Sequence, residues 1–266
     1  MDEELRHYGL NPAKATLNAD ETIDYHDDVD ISHMNLTKIP FKFGFVDGHF
    51  NCSRNPLQSL ENAPRVVSRD FNCEECNLRT LKGGPVTVTG IYYCSYNSLT
   101  GFDGLPSELG GLVINHNRLT SLKGCPQRIK NMFSCASNNI TDLKGGPLQT
   151  DPGIEYNCSI CKLVSLEGAP KEVGSFYCTH NQLTTLKGAP ETVHETFNCA
   201  DNQLTDLIGC PKETPYFYCE NNELVTLIGG PERCKKTFDC SNNMLTTLEG
   251  LPVTPWPVTY RNPIKK

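Results

Sequence analysis

The sequence predicts a repeat solenoid: a parallel β-sheet along one face, an irregular opposite side and a short cap at each end. Three observations predict it. The chain is self-similar with a period of 20 to 23 residues, each period opens on a two-residue alternation, and each closes on a Gly-x-Pro or a close variant of it. A repeat of that length cannot bury its apolar face alone, and stacked copies share one continuous core.

The alternation sets the register. An aromatic residue stands two places before a cysteine in Phe50/Cys52, Phe71/Cys73, Tyr92/Cys94, Phe133/Cys135, Tyr156/Cys158, Phe176/Cys178, Phe197/Cys199, Phe217/Cys219 and Phe238/Cys240, and Leu112/Ile114 fills the slot once. Residues i and i+2 of a strand share a face, so both side chains of each pair point the same way. Three residues after the cysteine slot comes asparagine, replaced by Cys76 and Cys161 in two repeats. Leucine or Ile140 follows at five residues, leucine or Phe102 at eight, and proline at twelve in all ten repeats. Proline lacks an amide donor and glycine tolerates unusual dihedrals, so no regular helix survives there and each repeat becomes one coil.

The frame V-x-x-F-x-C-x-x-N-x-L-T-x-L-x-G-x-P, clearest in Val173 to Pro190, resembles the short bacterial leucine-rich repeat. Similar repeats occur in secreted leucine-rich-repeat effectors of Gram-negative pathogens. The closer resemblance is to small repeat proteins of tailed bacteriophages, which share Leu-x-Gly-x-Pro and Phe-x-Cys and a similar opening to Asp28-Val29-Asp30-Ile31-Ser32 and Asn35 to Gly44 here. The resemblance covers residues 23 to 252. It implies a leucine-rich-repeat-like fold whose sheet face is concave, and a scaffold that serves many partners.

Three segments follow. Residues 1–28 form an N-terminal cap, with a short helix from Met1 to Leu10 stopped near Asn11-Pro12 and a hairpin around Asn18 to Glu21. Residues 29–252 form the solenoid, one degenerate leading coil plus ten repeats. Residues 253–266 form a proline-rich C-terminal cap or tail, with Trp256 expected over the last coil and Lys265-Lys266 frayed. The coil from Cys135 to Cys158 carries an insert at residues 149–153, read as a tolerated loop before a binding loop.

A net charge of -7 argues against non-specific binding to nucleic acid or to an anionic membrane, which need a positive field. No apolar run approaches the ~20 residues that cross a bilayer, and the acidic start Met1-Asp2-Glu3-Glu4 is unlike a signal peptide. The expectation is a cytoplasmic chain whose fourteen cysteines are free. Nine of them (Cys52, Cys73, Cys94, Cys135, Cys158, Cys178, Cys199, Cys219 and Cys240) then form a structural ladder of small buried side chains with inert thiols. Cys73-x-x-Cys76 and Cys158-x-x-Cys161 have zinc-site spacing. Both pairs fall on repeat slots four coils apart, so no metal or other cofactor is expected. Asp24, Asp27, Asp28 and Asp30 match no calcium loop and read as a solvated acidic cap. The asparagines read as internal bonding groups for the coil backbone.

Catalysis finds no support: the histidines are scattered, no G-x-S-x-G occurs, and Gly83-Gly84-Pro85 is a turn. The residues after Pro252 leave no room for the ubiquitin-ligase domain that some similar effectors carry, so no enzyme is expected. Residues flanking the ladder face outward, and two groups on that face are candidate partner-binding sites: Tyr93, Tyr96 and His116, and Tyr177, His180 and Tyr218. The expected function is protein binding, with a host bacterial protein as partner of a phage-encoded chain. Self-association as a structural component is the alternative, and small-ligand or nucleotide binding the third.

Overall fold

A computed structural model describes residues 1–264, with the backbone alone at Glu108; Lys265-Lys266 lie outside the described residues. The chain forms two compact units, Met1–Leu119 with Gly124–Met132, and Thr120–Lys123 with Phe133–Lys266. Both are parallel-sheet solenoids of the leucine-rich-repeat-like kind, with a single short α-helix among the described residues.

The first unit starts with its cap. Helix α1 (Asp2–His7) has three acids in its first turn and Arg6 and His7 in its last, matching the helix dipole. It ends earlier than expected: Gly9 takes φ +72° and turns the chain, before Asn11 caps a short 3-10 turn at Pro12–Lys14. The expected hairpin is present as β1 (Ala15–Leu17) antiparallel to β2 (Ile23–Tyr25). From β2 to the strand at Glu108–Val113, the pairings are parallel. Phe50, Phe71, Tyr92 and Leu112 stand in register on successive coils.

The second unit repeats the plan without a cap of this kind. Tyr156, Phe176, Phe197, Phe217 and Phe238 are in register. The segment past Pro252 keeps the frame for one more partial coil, where Pro257 pairs with Phe238. Asn262 takes the asparagine slot there, donating to the Cys240 carbonyl at 2.9 Å. Trp256 does not fold over the last coil as expected. It pairs with Thr237, an outward position, and is 69% exposed, because Pro257 takes the inward slot.

Three buried columns hold the coils. The ladder aromatics are fully buried, with neighbouring ring centroids 4.8 to 5.8 Å apart in the second unit. Burying each such ring contributes about 2–3 kcal/mol. The cysteine column does more than fill space. The Cys52, Cys158, Cys178, Cys199 and Cys219 thiols each donate to a carbonyl of the next coil at 3.2 to 3.4 Å. All fourteen cysteines are buried free thiols. The asparagine column closes the turns. Asn55 Nδ2 donates to the carbonyls of Ile31, Cys52 and Ser53, and its Oδ1 accepts from the amides of Met34 and Leu36. One side chain thus satisfies five backbone groups that burial would otherwise strand. In the same slot Cys76 keeps only the donor half, its thiol reaching the Cys52 and Glu74 carbonyls.

Two backbone positions per coil are left-handed. One is the Gly of Leu-x-Gly, as at Gly104 (φ +99°), where a Cβ would sit 2.2 Å from the Leu81 carbonyl carbon. The other lies two residues after the ladder slot, from Arg54 (φ 56°) to Asn242 (φ 52°), and carries ordinary side chains. There the chain leaves the strand and the side chain stands out from the coil.

Candidate binding face of the sheet

In eight coils the residue just before the ladder cysteine points outward and does one of two things, whereas Ser134 before Cys135 is buried. Where it is Asn or Asp, its side chain folds back on its own chain. The oxygens of Asn51, Asn72, Asn157, Asn198 and Asp239 accept the amide two residues on, at 2.9 to 3.1 Å. These are Asx-turns, and they use up the polar group. Tyrosine has no atom that can close such a turn, so Tyr93, Tyr177 and Tyr218 extend from the face, each half-buried.

The left-handed column beside it forms ladders of side chains. In the first unit His33 lies 3.1 Å from Arg54, Arg54 bonds Glu75 at 2.9 Å, and Tyr96 stacks on His116 with centroids 4.2 Å apart. In the second, His180 faces Asp201 at 3.6 Å, Asn221 donates to Asp201, and Asn242 donates to Asn221.

The structure therefore brings Tyr96 and His116 into contact. Tyr93 stands on the neighbouring column with its phenol pKa raised, first by burial and then by Asp70 and Glu74. Tyr177 and Tyr218 lie two coils apart on one column, with Asn198 between them. His180 is engaged with Asp201 rather than with either tyrosine.

Tyr216 is a residue that sequence reasoning missed. It lies on the same strand as Tyr218, with rings 6.4 Å apart and nearly parallel at 6°, and Lys236 Nζ sits 4.8 Å over its ring. The alternation Tyr216-Phe217-Tyr218 carried the signal, since i and i+2 share a face. Glu220, next to ladder Cys219, was missed too. Its Oε2 is enclosed and has no hydrogen-bond partner. Burial raises its pKa above the ordinary 4.5, against a lowering hydrogen bond from its own backbone, and Asp239 and Asp201 raise it further. Tyr218 is raised by burial and by Tyr216, Glu220, Asp239 and Tyr177.

The remaining candidates resolve into structural roles. Asp24 is no solvated surface charge: its Oδ1 accepts the Phe45 amide at 2.8 Å, and Asp28 takes the His49 amide in the same way. Each reaches across a glycine, and a Cβ on Gly44 or Gly48 would lie 2.5 Å from the carboxylate. Cys73 and Cys76 aim at different carbonyls, of Tyr93 and of Cys52. Among the described residues no three His, Cys, Asp or Glu side chains converge as metal ligands. The insert borders a hollow of about 530 Å³ lined by Pro152, Gly153, Glu155, Gly174, Ser175, His194 and Glu195. No described helix is long and apolar enough to cross a membrane.

Fold and face together define a leucine-rich-repeat-like solenoid with a sheet surface open to contact. Among solved structures the chain is similar to YopM from Yersinia enterocolitica WA-314, with a TM-score of 0.59 and 16% identity. The match covers 88% of this chain and 64% of YopM, so the chain spans under two thirds of that protein. At that identity the likeness is one of fold. No protein-family profile matches the chain, and no curated protein sequence is detectably similar.

Proposed function

We propose that this protein is a non-enzymatic binding module that engages a protein partner through the outward face of its sheet. One observation carries the reading: where other coils close an Asx-turn, three coils place a tyrosine that serves no turn. Tyrosine gives a large amphipathic contact at low entropic cost, which is why it is enriched at interfaces. The face groups are Tyr93, Tyr96 and His116 on the first unit, and Tyr177, His180 and Tyr218 on the second. The resemblance of the repeat frame to bacteriophage proteins supports a phage-encoded chain acting on a host bacterial protein in the cytoplasm.

Affinity capture from bacterial lysate, comparing wild type with a folded Tyr93/Tyr177/Tyr218→Ala variant, tests this reading. A partner held by wild type and lost by the variant supports it, and a partner retained by both moves the site off the face. Self-association through the C-terminal edge is the weaker reading. In earlier coils the amide of the aromatic slot donates to the next coil, as Phe50 does to Asp70. Pro257 fills that slot without a donor, so a strand added there misses the bond.

A further inference from the structure

The face of the second unit is both aromatic and acidic, and it has an acceptor left over. Tyr216 and Tyr218 present nearly parallel rings from one strand. Asp201 and Asp239 flank Glu220, but both spend an oxygen on internal bonds, to Asn221 and to Ser241. Glu220 Oε2 has no such bond and is shielded from water. A carboxylate oxygen in that position costs stability until a donor reaches it. Lys236 shows what the tyrosine row accepts, since its ammonium rides on Tyr216.

We propose that Tyr216, Tyr218 and Glu220 form a seat for a lysine or arginine side chain of a basic partner segment. The cation pairs with the Glu220 carboxylate as that side chain turns outward to meet it, its flat or alkyl portion lies along the Tyr218 ring beside Tyr216, and Asp201 and Asp239 supply the surrounding negative field. The complementarity is specific in sign: three carboxylates surround the seat, and Lys236 already covers the far tyrosine. Guanidinium suits it better than ammonium, because it stacks on an aromatic ring while donating from its edge. The proposal rests on the sheet face being the binding surface and names the chemistry read there.

The experiment uses the full chain and a capped Gly-Arg repeat octapeptide, titrated by calorimetry beside the same peptide with citrulline for arginine. The expected result is binding of the arginine peptide only, weakened about tenfold or more, some 1.4 kcal/mol, by Glu220→Gln and by Tyr218→Ala, and unaffected by Leu17→Ala at an exposed position of the N-terminal hairpin. Unfolding midpoints confirm that the variants are folded. Equal binding by wild type and Glu220→Gln reduces the effect to diffuse acidity and overturns the seat, as does equal binding of the citrulline peptide or no binding at all. The lysate capture keeps the two readings apart. A partner lost by the triple tyrosine variant but held by Glu220→Gln leaves the face as the site and removes the cation seat.

Discussion

On the first unit the exposed polar groups of the sheet face answer one another: Arg54 faces the His33 ring nitrogen and bonds Glu75, and His49 faces Asp70 at 3.2 Å. On the second, His180 and Asn221 answer Asp201, yet Glu220 keeps an enclosed oxygen without a donor and two tyrosines stand beside it. The inward slots of the two units are nearly interchangeable. Every ladder position is buried in both, because coil stacking leaves only aromatic, small or amide side chains that fit. The outward slots carry no such constraint, so difference collects there. A solenoid separates the residues that make it fold from those that can make it bind.

The largest contrast between the units concerns thiols. Burial pushes the Cys73, Cys158 and Cys178 thiols up, and holds Cys210 and Cys234 at about 12. Cys76 and Cys161 go the other way, lowered first by the neighbouring Cys52 and Cys135 side chains against the effect of burial. These two share a slot but not an environment: Cys161 is 9% exposed and Cys76 is 0% exposed. Native protein should react with a thiol reagent at least ~10³-fold slower than urea-unfolded protein, because attack waits for local opening. Limited alkylation read by mass spectrometry should label Cys161 before Cys76, and the reverse order would break the contrast.

The asparagine slot gives the next largest effect. Asn181 makes five bonds, donating to the Cys158, Cys178 and Thr179 carbonyls and accepting from Cys161 and Leu163. Its alanine variant should lose about 3 kcal/mol or more in urea unfolding, since buried backbone groups are stranded. Cys76→Ala should lose about 1 kcal/mol, because a thiol holds only weak bonds there. Equal losses would mean that the slot is filled for volume and not for bonding. Smaller again is a tyrosine–glycine match. Tyr92 and Tyr156 replace phenylalanine, and each faces a glycine before proline: a Cβ on Gly84 would lie 2.6 Å from the Tyr92 hydroxyl, and one on Gly146 3.0 Å from that of Tyr156. Gly84→Ala should cost about 2 kcal/mol and Gly146→Ala about 1 kcal/mol. Tyr92→Phe should rescue the first, its hydroxyl having no hydrogen-bond partner.

Register, ladder and asparagine column were legible in the sequence because burial repeats a residue type at a fixed spacing. The second left-handed position was not. Arg54, Tyr96, Ile160 and Asp201 share that dihedral with no glycine to announce it, since neighbouring coils impose the turn on whatever side chain is there. The Asp24 and Asp28 bridges were hidden for a related reason: the carboxylate's partner is an amide one coil away, and only stacking reveals it. Tyr93, Tyr177 and Tyr218 were readable as outward residues. That half of their column is spent on Asx-turns, which is what sets them apart, shows only in the folded chain.

The smallest expected effect bears most directly on the second unit's face. Burial raises the Glu220 pKa in the folded state above the 4.5 of an exposed glutamate, so the folded chain binds this proton more tightly than the unfolded chain does. Folding is therefore penalised by Glu220 as pH rises from 4.5 through the folded pKa, and the penalty is complete above it. Glu220→Gln removes the titration while keeping the shape. At pH 7 the variant should be more stable than wild type by under about 1 kcal/mol, the half-exposed carboxylate being screened by solvent. Below pH 4.5 the gain should vanish. Urea unfolding of both proteins at pH 4 and pH 7 measures it. A gain that persists at pH 4 would assign the effect to packing, not to charge. A gain that disappears there, in a variant that also binds the arginine peptide less well, would mark Glu220 as a residue that lowers stability where the face meets its partner.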